Sequence, residues 1–257
     1  MQVAGKQSEI KALGSALLEI GSLLMISGAN TQRIRITVDR ISNAFGYHTD
    51  LMISQRSLTI NIIDHENDHF FSSLKRTGSH GANFTLLSGI SRMSWTVVEQ
   101  KWTVLQIEEE IKRLTSLPHY PRWIILTMVG LAGSAFCRLS GGAWWEVLLV
   151  FIGTFVGLYA RQEAVKQRFN PYLSIYFGAF VSSLIVCLAD RFQLVATSEH
   201  ALATSVLFLI PGVPFINSFS DMIDGNQQNG LTRGVHCFIV AFSIAMGLST
   251  SLLISKI

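Results

Sequence analysis

Along the first 117 residues, apolar and polar positions alternate with recognisable periods; from Trp123 onward the apolar positions run together. Residues 8–27 put Leu13, Leu17, Ile20 and Leu24 on one stripe at helical spacing, and Gly28 follows as the expected C-cap. Asn30 or Thr31 then caps a second helix, which runs through Phe45 and is stopped by Gly46. Ile34, Val38 and Ile41 line one face of that helix, and Arg33 and Arg40 lie elsewhere on its surface. A period of two takes over at about 47–54, 57–63 and 69–74, where Leu58-Thr-Ile-Asn-Ile-Ile alternates well. Helical spacing returns at about 83–100 and 103–116, the latter opened by Thr103 and carrying Glu108, Glu109 and Glu110. This pattern predicts an α+β domain with a small antiparallel sheet over residues 1–119.

The second half reads as an all-α polytopic membrane bundle of about five spans, over residues 120–257. Candidate spans lie at about 123–142, 144–161, 171–189, 200–216 and 234–254, each near the ~20 residues that cross ~30 Å of hydrocarbon. Tyr120, Trp123, Trp144, Trp145, Tyr159 and Tyr172 mark span ends, where a ring buries its body and keeps a polar edge wet. Lys112, Arg113, Arg122, Arg161, Lys166, Arg168 and Arg233 fall on one side and Arg138, Arg191 and Lys256 on the other. That bias makes the N-terminal domain cytoplasmic and, with five spans, puts the C-terminus outside. A re-entrant fourth segment would flip everything after it. Gly153 and Gly157, then Ser174, Gly178 and Ser182, have the spacing of close helix packing.

The fourth span carries the most functional-looking residues. Pro211 and Pro214 each lack an N–H and each clash with the carbonyl four residues back, and Gly212 between them permits unusual dihedrals. A helix broken at membrane depth must satisfy its freed backbone groups with protein or with a wet cavity, and transporters hold substrates at such ends. A plain proline kink is the other reading. Asn217 and Asp221, just beyond, add a hydrogen-bonding group and a carboxylate. Pro211, Gly212, Pro214, Asn217 and Asp221 are therefore the candidate substrate path. Arg138, Arg161 and Arg233 are candidate anion guides at its mouths.

Charge and composition sharpen the division. Of the 20 Lys and Arg, 13 lie in residues 1–122, and 11 of the 17 Asp and Glu lie there too. The apolar fraction of 49% comes mostly from the second half. The net charge of +3 is spread out, with no basic face of the kind nucleic acid needs. Charge within the spans is sparse, as expected when one at the midplane costs roughly 2.5–3.5 kcal/mol on insertion scales. This argues against a proton relay built only from this chain's buried carboxylates. Cys137, Cys187 and Cys237 sit in apolar runs without metal-ligand spacing and read as small core hydrophobes. Lys6, Glu9 and Lys11 nearly cancel and Glu19 interrupts the apolar stretch, so the N-terminus does not read as a secretion signal.

One motif suggests different chemistry. His65-Glu66-Asn67-Asp68-His69 matches the zinc-protease pattern H-E-x-x-H. That chemistry needs a helix, which puts both imidazoles on one face and the Glu beside a zinc-bound water. Here the motif lies between strands and Asn67-Asp68 favours a turn, so the preferred reading is a hairpin with no metal, no cofactor and no catalytic residue. The alternative is a membrane-anchored metallohydrolase with His65 and His69 as ligands and Glu66 as base.

Three stretches together resemble the bacterial threonine/serine exporter family. They are Gly28-Ala29 with Arg33 and Ile41-Ser-Asn-Ala-Phe-Gly46; Tyr120-Pro-Arg-Trp through Gly130 to Arg138-Leu; and Leu209-Ile-Pro-Gly-Val-Pro-Phe-Ile-Asn217 with Asp221-Met and Gly230-Leu-Thr-Arg233. The Tyr-Pro-Arg-Trp stretch looks specifically like the YjjP-type subunit, associated with succinate export. The chain departs from common members near Asn30-Thr31, where an acidic residue often appears. The resemblance implies half of a transporter in the bacterial inner membrane, with a YjjB-type second membrane subunit supplying further spans; a higher oligomer is a separate expectation. The expected cargo is a C4-dicarboxylate such as succinate, or threonine and serine. A non-conducting membrane scaffold or sensor is the further alternative.

Overall fold

The computed structural model describes residues 2–64, 69–78, 81–118, 120–192 and 199–256. In chain order the elements are α1 (Gln2–Ile26), α2 (Thr31–Ala44), β1 (His48–Ser54), β2 (Ser57–Asp64), β3 (His69–Arg76), α3 (Phe84–Gln100) and α4 (Val104–Thr115). They continue with α5 (Arg122–Leu139), α6 (Trp144–Lys166), α7 (Pro171–Arg191), α8 (Glu199–Ser205), a 3-10 turn (Leu207–Leu209), α9 (Gly212–Ile223) and α10 (Gln227–Lys256). The chain groups into two compact units, residues 1–118 with 213–234, and residues 119–212 with 235–257. Residues 213–234, expected within the membrane domain at 120–257, thus group with the N-terminal elements.

The first unit is built on α1. Leu13, Leu17, Ile20 and Leu24 are fully buried, as their stripe demands. The helix lies directly on the sheet at two glycines seven residues apart, hence on one face. A Cβ on Gly14 would stand 2.3 Å from the Phe71 ring, and one on Gly21 would stand 2.3 Å from Leu58 Cδ2. The sheet is antiparallel in the order β1-β2-β3. Strand β2 alternates as expected, burying Leu58, Ile60 and Ile62. The helices start where side chains satisfy orphan N–H groups. Asn30 accepts from Arg33 N–H at 2.9 Å and Asn83 from Leu86 N–H at 3.0 Å. Thr103 and Gln106 form a reciprocal box at the start of α4. Of the H-E-x-x-H motif, residues 65–68 lie outside the described residues; His69 pairs with Asp64 where β3 begins.

The second unit is a helix bundle. Helices α5 and α6 are antiparallel, joined near one end by Arg122, which donates to Gln162 at 2.7 Å and pairs with Glu163 at 3.2 Å. Helices α6 and α7 are antiparallel and nearly touch. A Cβ on Gly157 would meet Ser182 Cβ at 2.7 Å and the Gly178 carbonyl at 2.8 Å. The small residues expected to allow close approach do so here, where dispersion between backbones replaces a hydrophobic drive. Helices α7 and α10 are parallel: Tyr172 meets His236, Ser183 meets Ser251, and Arg191 donates to the Ser255 carbonyl. Asn170 caps α7 and Pro171 stands in its first turn, where a missing N–H costs nothing.

Among the described residues, α5, α6, α7 and Gln227–Ser255 are long and apolar enough to cross a membrane. A fifth is reached only if the interrupted pair Glu199–Leu209 and Gly212–Ile223 is taken as one span. The expected fourth span at 200–216 is therefore not a single helix. It breaks once, at Ile210-Pro211, rather than at both prolines. Pro214 falls in the first turn of α9, where its N–H would have no intrahelical partner anyway, so it starts a helix instead of ending one.

Candidate functional site

Within the bundle, α8 runs back along α7 in the opposite direction. Ala201 packs with Cys137, Val150 and Val186; Leu209 packs with Ile175, Ala179, Val240 and Ile244. The short α8 ends in buried surroundings, and hydroxyls from two other helices meet its last carbonyl. The Ser205 carbonyl accepts from Ser182 Oγ at 2.6 Å and from Thr154 Oγ1 at 3.3 Å. Two residues after the 3-10 turn, the Pro211 carbonyl faces the Cys237 thiol at 4.0 Å. The freed backbone of the break is thus met by side chains of α6, α7 and α10.

Arg161 of α6 stands beside this break. A Cβ on Gly178 would lie 3.1 Å from Arg161 Cβ and 3.4 Å from Leu209 Cδ2, so the arginine stem and the last residue of the 3-10 turn flank one glycine. Arg161 is half-buried, and its guanidinium makes no hydrogen bond or ion pair among the described residues. Arg138 differs: it donates to the Gly142 carbonyl at 3.0 Å and lies over the Trp144 ring at 4.8 Å. Arg138 is therefore held by its own loop.

Asn217, Asp221 and Arg233 come together in the first unit, around the turn between α1 and α2. Gly28 takes φ +90 there, which a side chain would resist. The Asp221 side chain is fully buried. Its Oδ1 accepts from Thr31 N–H at 2.8 Å, and its Oδ2 lies 3.2 Å from Arg233 Nη1 without hydrogen-bond geometry. Arg233 Nη2 donates to the Ala29 carbonyl at 3.1 Å, and Asn217 Nδ2 donates to the Gly28 carbonyl at 2.8 Å. Asn229 adds a bond to the Ile53 carbonyl at 2.9 Å. Ser218 Oγ donates to the Gly230 carbonyl at 2.7 Å, and a Cβ on Gly230 would collide with Met222, so α9 and the start of α10 pack as a tight hairpin. These side chains clasp the hairpin to the α1–α2 turn. The buried pair is closed on itself, because each charge has a fixed partner.

The sequence pattern singled out Asn217, Asp221 and Arg233 but missed what they bind. Gly28, Ala29 and Thr31 contribute backbone groups, which leave no signature in composition. Thr154 and Ser205 were missed as well, since a hydroxyl in an apolar run gives no sign of its distant acceptor. Pro211, Gly212 and Pro214 mark the break and the start of α9. No cluster of three or more His, Cys, Asp or Glu placed to hold a metal occurs among the described residues.

Comparison with known proteins bears on this arrangement. A family model described as "Putative threonine/serine exporter" matches residues 15–255. The chain is 26% identical to a protein of Klebsiella aerogenes named "Probable succinate transporter subunit YjjP", over 94% of this chain and 93% of that one. It is 24% identical to a protein of the same name from Escherichia coli, over 95% of each. It is 22% identical to the "Threonine/serine exporter" of Corynebacterium glutamicum, over 97% of this chain but 53% of that one. These relatives are named as transporters, not enzymes. No solved structure matches.

Proposed function

Because the chain belongs to the threonine/serine exporter family, we propose that it is one subunit of a bacterial inner-membrane exporter for a C4-dicarboxylate such as succinate. The unpaired guanidinium of Arg161, beside the Ile210-Pro211 break, carries this reading. A permanent cation in an apolar helix is costly without a counter-charge, and a substrate carboxylate passing the break supplies one, bidentately where geometry allows. Arg138 and Arg233 are already engaged, so the anion-guiding role expected of three arginines narrows to Arg161. The path runs past Pro211 and Gly212. Asn217 and Asp221 act one step removed, by holding the hairpin that follows.

Residues 199–211 make the fourth crossing in this reading. The support is the parallel run of α7 and α10: a chain that starts both helices at one end of the bundle must return between them. The N-terminal domain, 1–119, is then cytoplasmic, as the arginine and lysine distribution favours. The full-length match to relatives named as a subunit, against a half-length match to the Corynebacterium exporter, supports a second membrane subunit of the YjjB type.

The test is succinate efflux from cells lacking both subunit genes and supplied with them again. Arg161→Gln lowers succinate efflux at least tenfold with the protein still in the membrane, and Arg161→Lys retains part of it. Undiminished efflux by Arg161→Gln overturns the assignment. Efflux of threonine but not succinate by the unsubstituted pair would give the cargo to the amino-acid class.

A further inference from the structure

Helix α9 is amphipathic with its sides reversed from those of a soluble protein's surface helix. Its buried residues are Ser218 and Asp221, and Asn217 beside them is bonded to the Gly28 carbonyl. Its exposed residues are Phe215, Ile216, Phe219, Met222 and Ile223, the last 84% exposed. At 100° per residue these five fall within about 120° of arc, opposite the polar side chains. Phe215 and Phe219 stack edge to face at 5.0 Å, so the ridge is already ordered. An outward apolar ridge over a polar inner face is unfavourable in water, at about 25 cal/mol for each Å² left wet.

We propose that α9 is an interfacial helix, with this ridge immersed in the acyl-chain boundary of the leaflet on its own side of the bilayer. Crossing the bilayer would carry the buried Asp221–Arg233 clasp into lipid, where charged side chains are costly. The chain leaves the bundle after Pro211 and re-enters it at Val235, and Pro211 stands against Cys237. Exit and re-entry are therefore at one level, as they are for a segment that lies along a membrane surface. The exposed ridge holds no polar or charged side chain, as suits hydrocarbon, whereas a protein interface ordinarily adds a polar rim with about one hydrogen bond per 100–200 Å². By sequence spacing, Leu231, Val235, Phe238 and Phe242 form an exposed apolar stripe along α10. This rests on residues 199–211 being a crossing segment, and not on the cargo.

The test places a nitroxide by cysteine substitution at Ile216, Phe219 or Ile223 in the full chain. The chain is reconstituted in phosphatidylethanolamine and phosphatidylglycerol vesicles, with and without the second subunit, and the native cysteines are replaced. Collisions with oxygen should dominate over those with a water-soluble nickel chelate, at one shared depth about 5–10 Å below the headgroups. Dominance of the chelate overturns the proposal, as does a depth that increases steadily along the three positions. Shielding from both reagents once the second subunit is present would give the ridge to protein instead. The unsubstituted chain provides an independent check: lipid carrying a diazirine near the headgroup should label residues 215–223. Labelling there only from the acyl terminus, or none, overturns the proposal equally. Efflux is not the readout, so a wrong cargo leaves this result standing.

Discussion

Removing the Asp221 carboxylate changes two neighbours at once. Arg233 loses its ion pair and Thr31 N–H loses its acceptor. Asp221→Ala is expected to cost about 3 kcal/mol and to lower the thermal midpoint of the purified full chain by several degrees. Asp221→Asn keeps an acceptor for Thr31 and should lower the midpoint less. Equal losses would mean that the charge, not the hydrogen bond, holds the clasp. The residue itself was legible as an odd carboxylate after an apolar run. Its partner was not, because Thr31 lies 190 positions away and contributes only a backbone N–H. Arg161 presents the converse case: a cation at a span's end was plain from the sequence, and its lack of a partner was not.

At the scale of elements, local chemistry was the readable part. Asn30, Thr103 and Gly46 sit at helix ends for reasons visible within four residues of each, and β2 follows its alternation. What the pattern could not show was which faces meet. Gly157 shows why: the same spacing serves any pair of close helices, and only the fold chooses Gly178 and Ser182 as its partners. Gly157→Ala puts a methyl 2.7 Å from Ser182 Cβ, and about 1–3 kcal/mol of overpacking is expected, read as an earlier thermal transition in detergent. On α2, burial raises the Asp39 carboxyl above its usual range, against the pull of Arg35 and His48 and with the push of Asp50. A raised folded value means that the folded state holds the proton more tightly than the unfolded chain does. That contribution is fully present below the unfolded value and is lost as pH rises through the folded one. Asp39→Asn should therefore raise the thermal midpoint at pH 7, and the advantage should vanish below about pH 4, near the unfolded carboxyl value. An unchanged advantage at both pH values would contradict the assignment. Helix α9 was the least legible element, since the fourth span was expected to end near residue 216, and no helix was expected over 217–223.

For the whole molecule, helix directions bear on the topology proposed above. With α5 antiparallel to α6, α6 to α7, and α7 parallel to α10, both α5 and α10 start from the same end of the bundle. An odd number of crossings puts the two termini on opposite sides. A cysteine appended after Ile257 should react with a membrane-impermeant maleimide added outside intact spheroplasts, and one placed before α1 should not. Reaction of both, or of neither, would require an even count. The two hydroxyls on the Ser205 carbonyl bear on how such a molecule is made. A seven-residue helix opening with Glu199 and His200 would not partition into lipid as it leaves the ribosome. The hydroxyl donors that receive its carbonyl, on Thr154 and Ser182, come together only after α6 and α7 have been inserted and have closed on each other. In the proposed topology biogenesis is ordered: α5, α6 and α7 form a template, and the fourth passage is made by docking to it rather than by its own affinity for the bilayer.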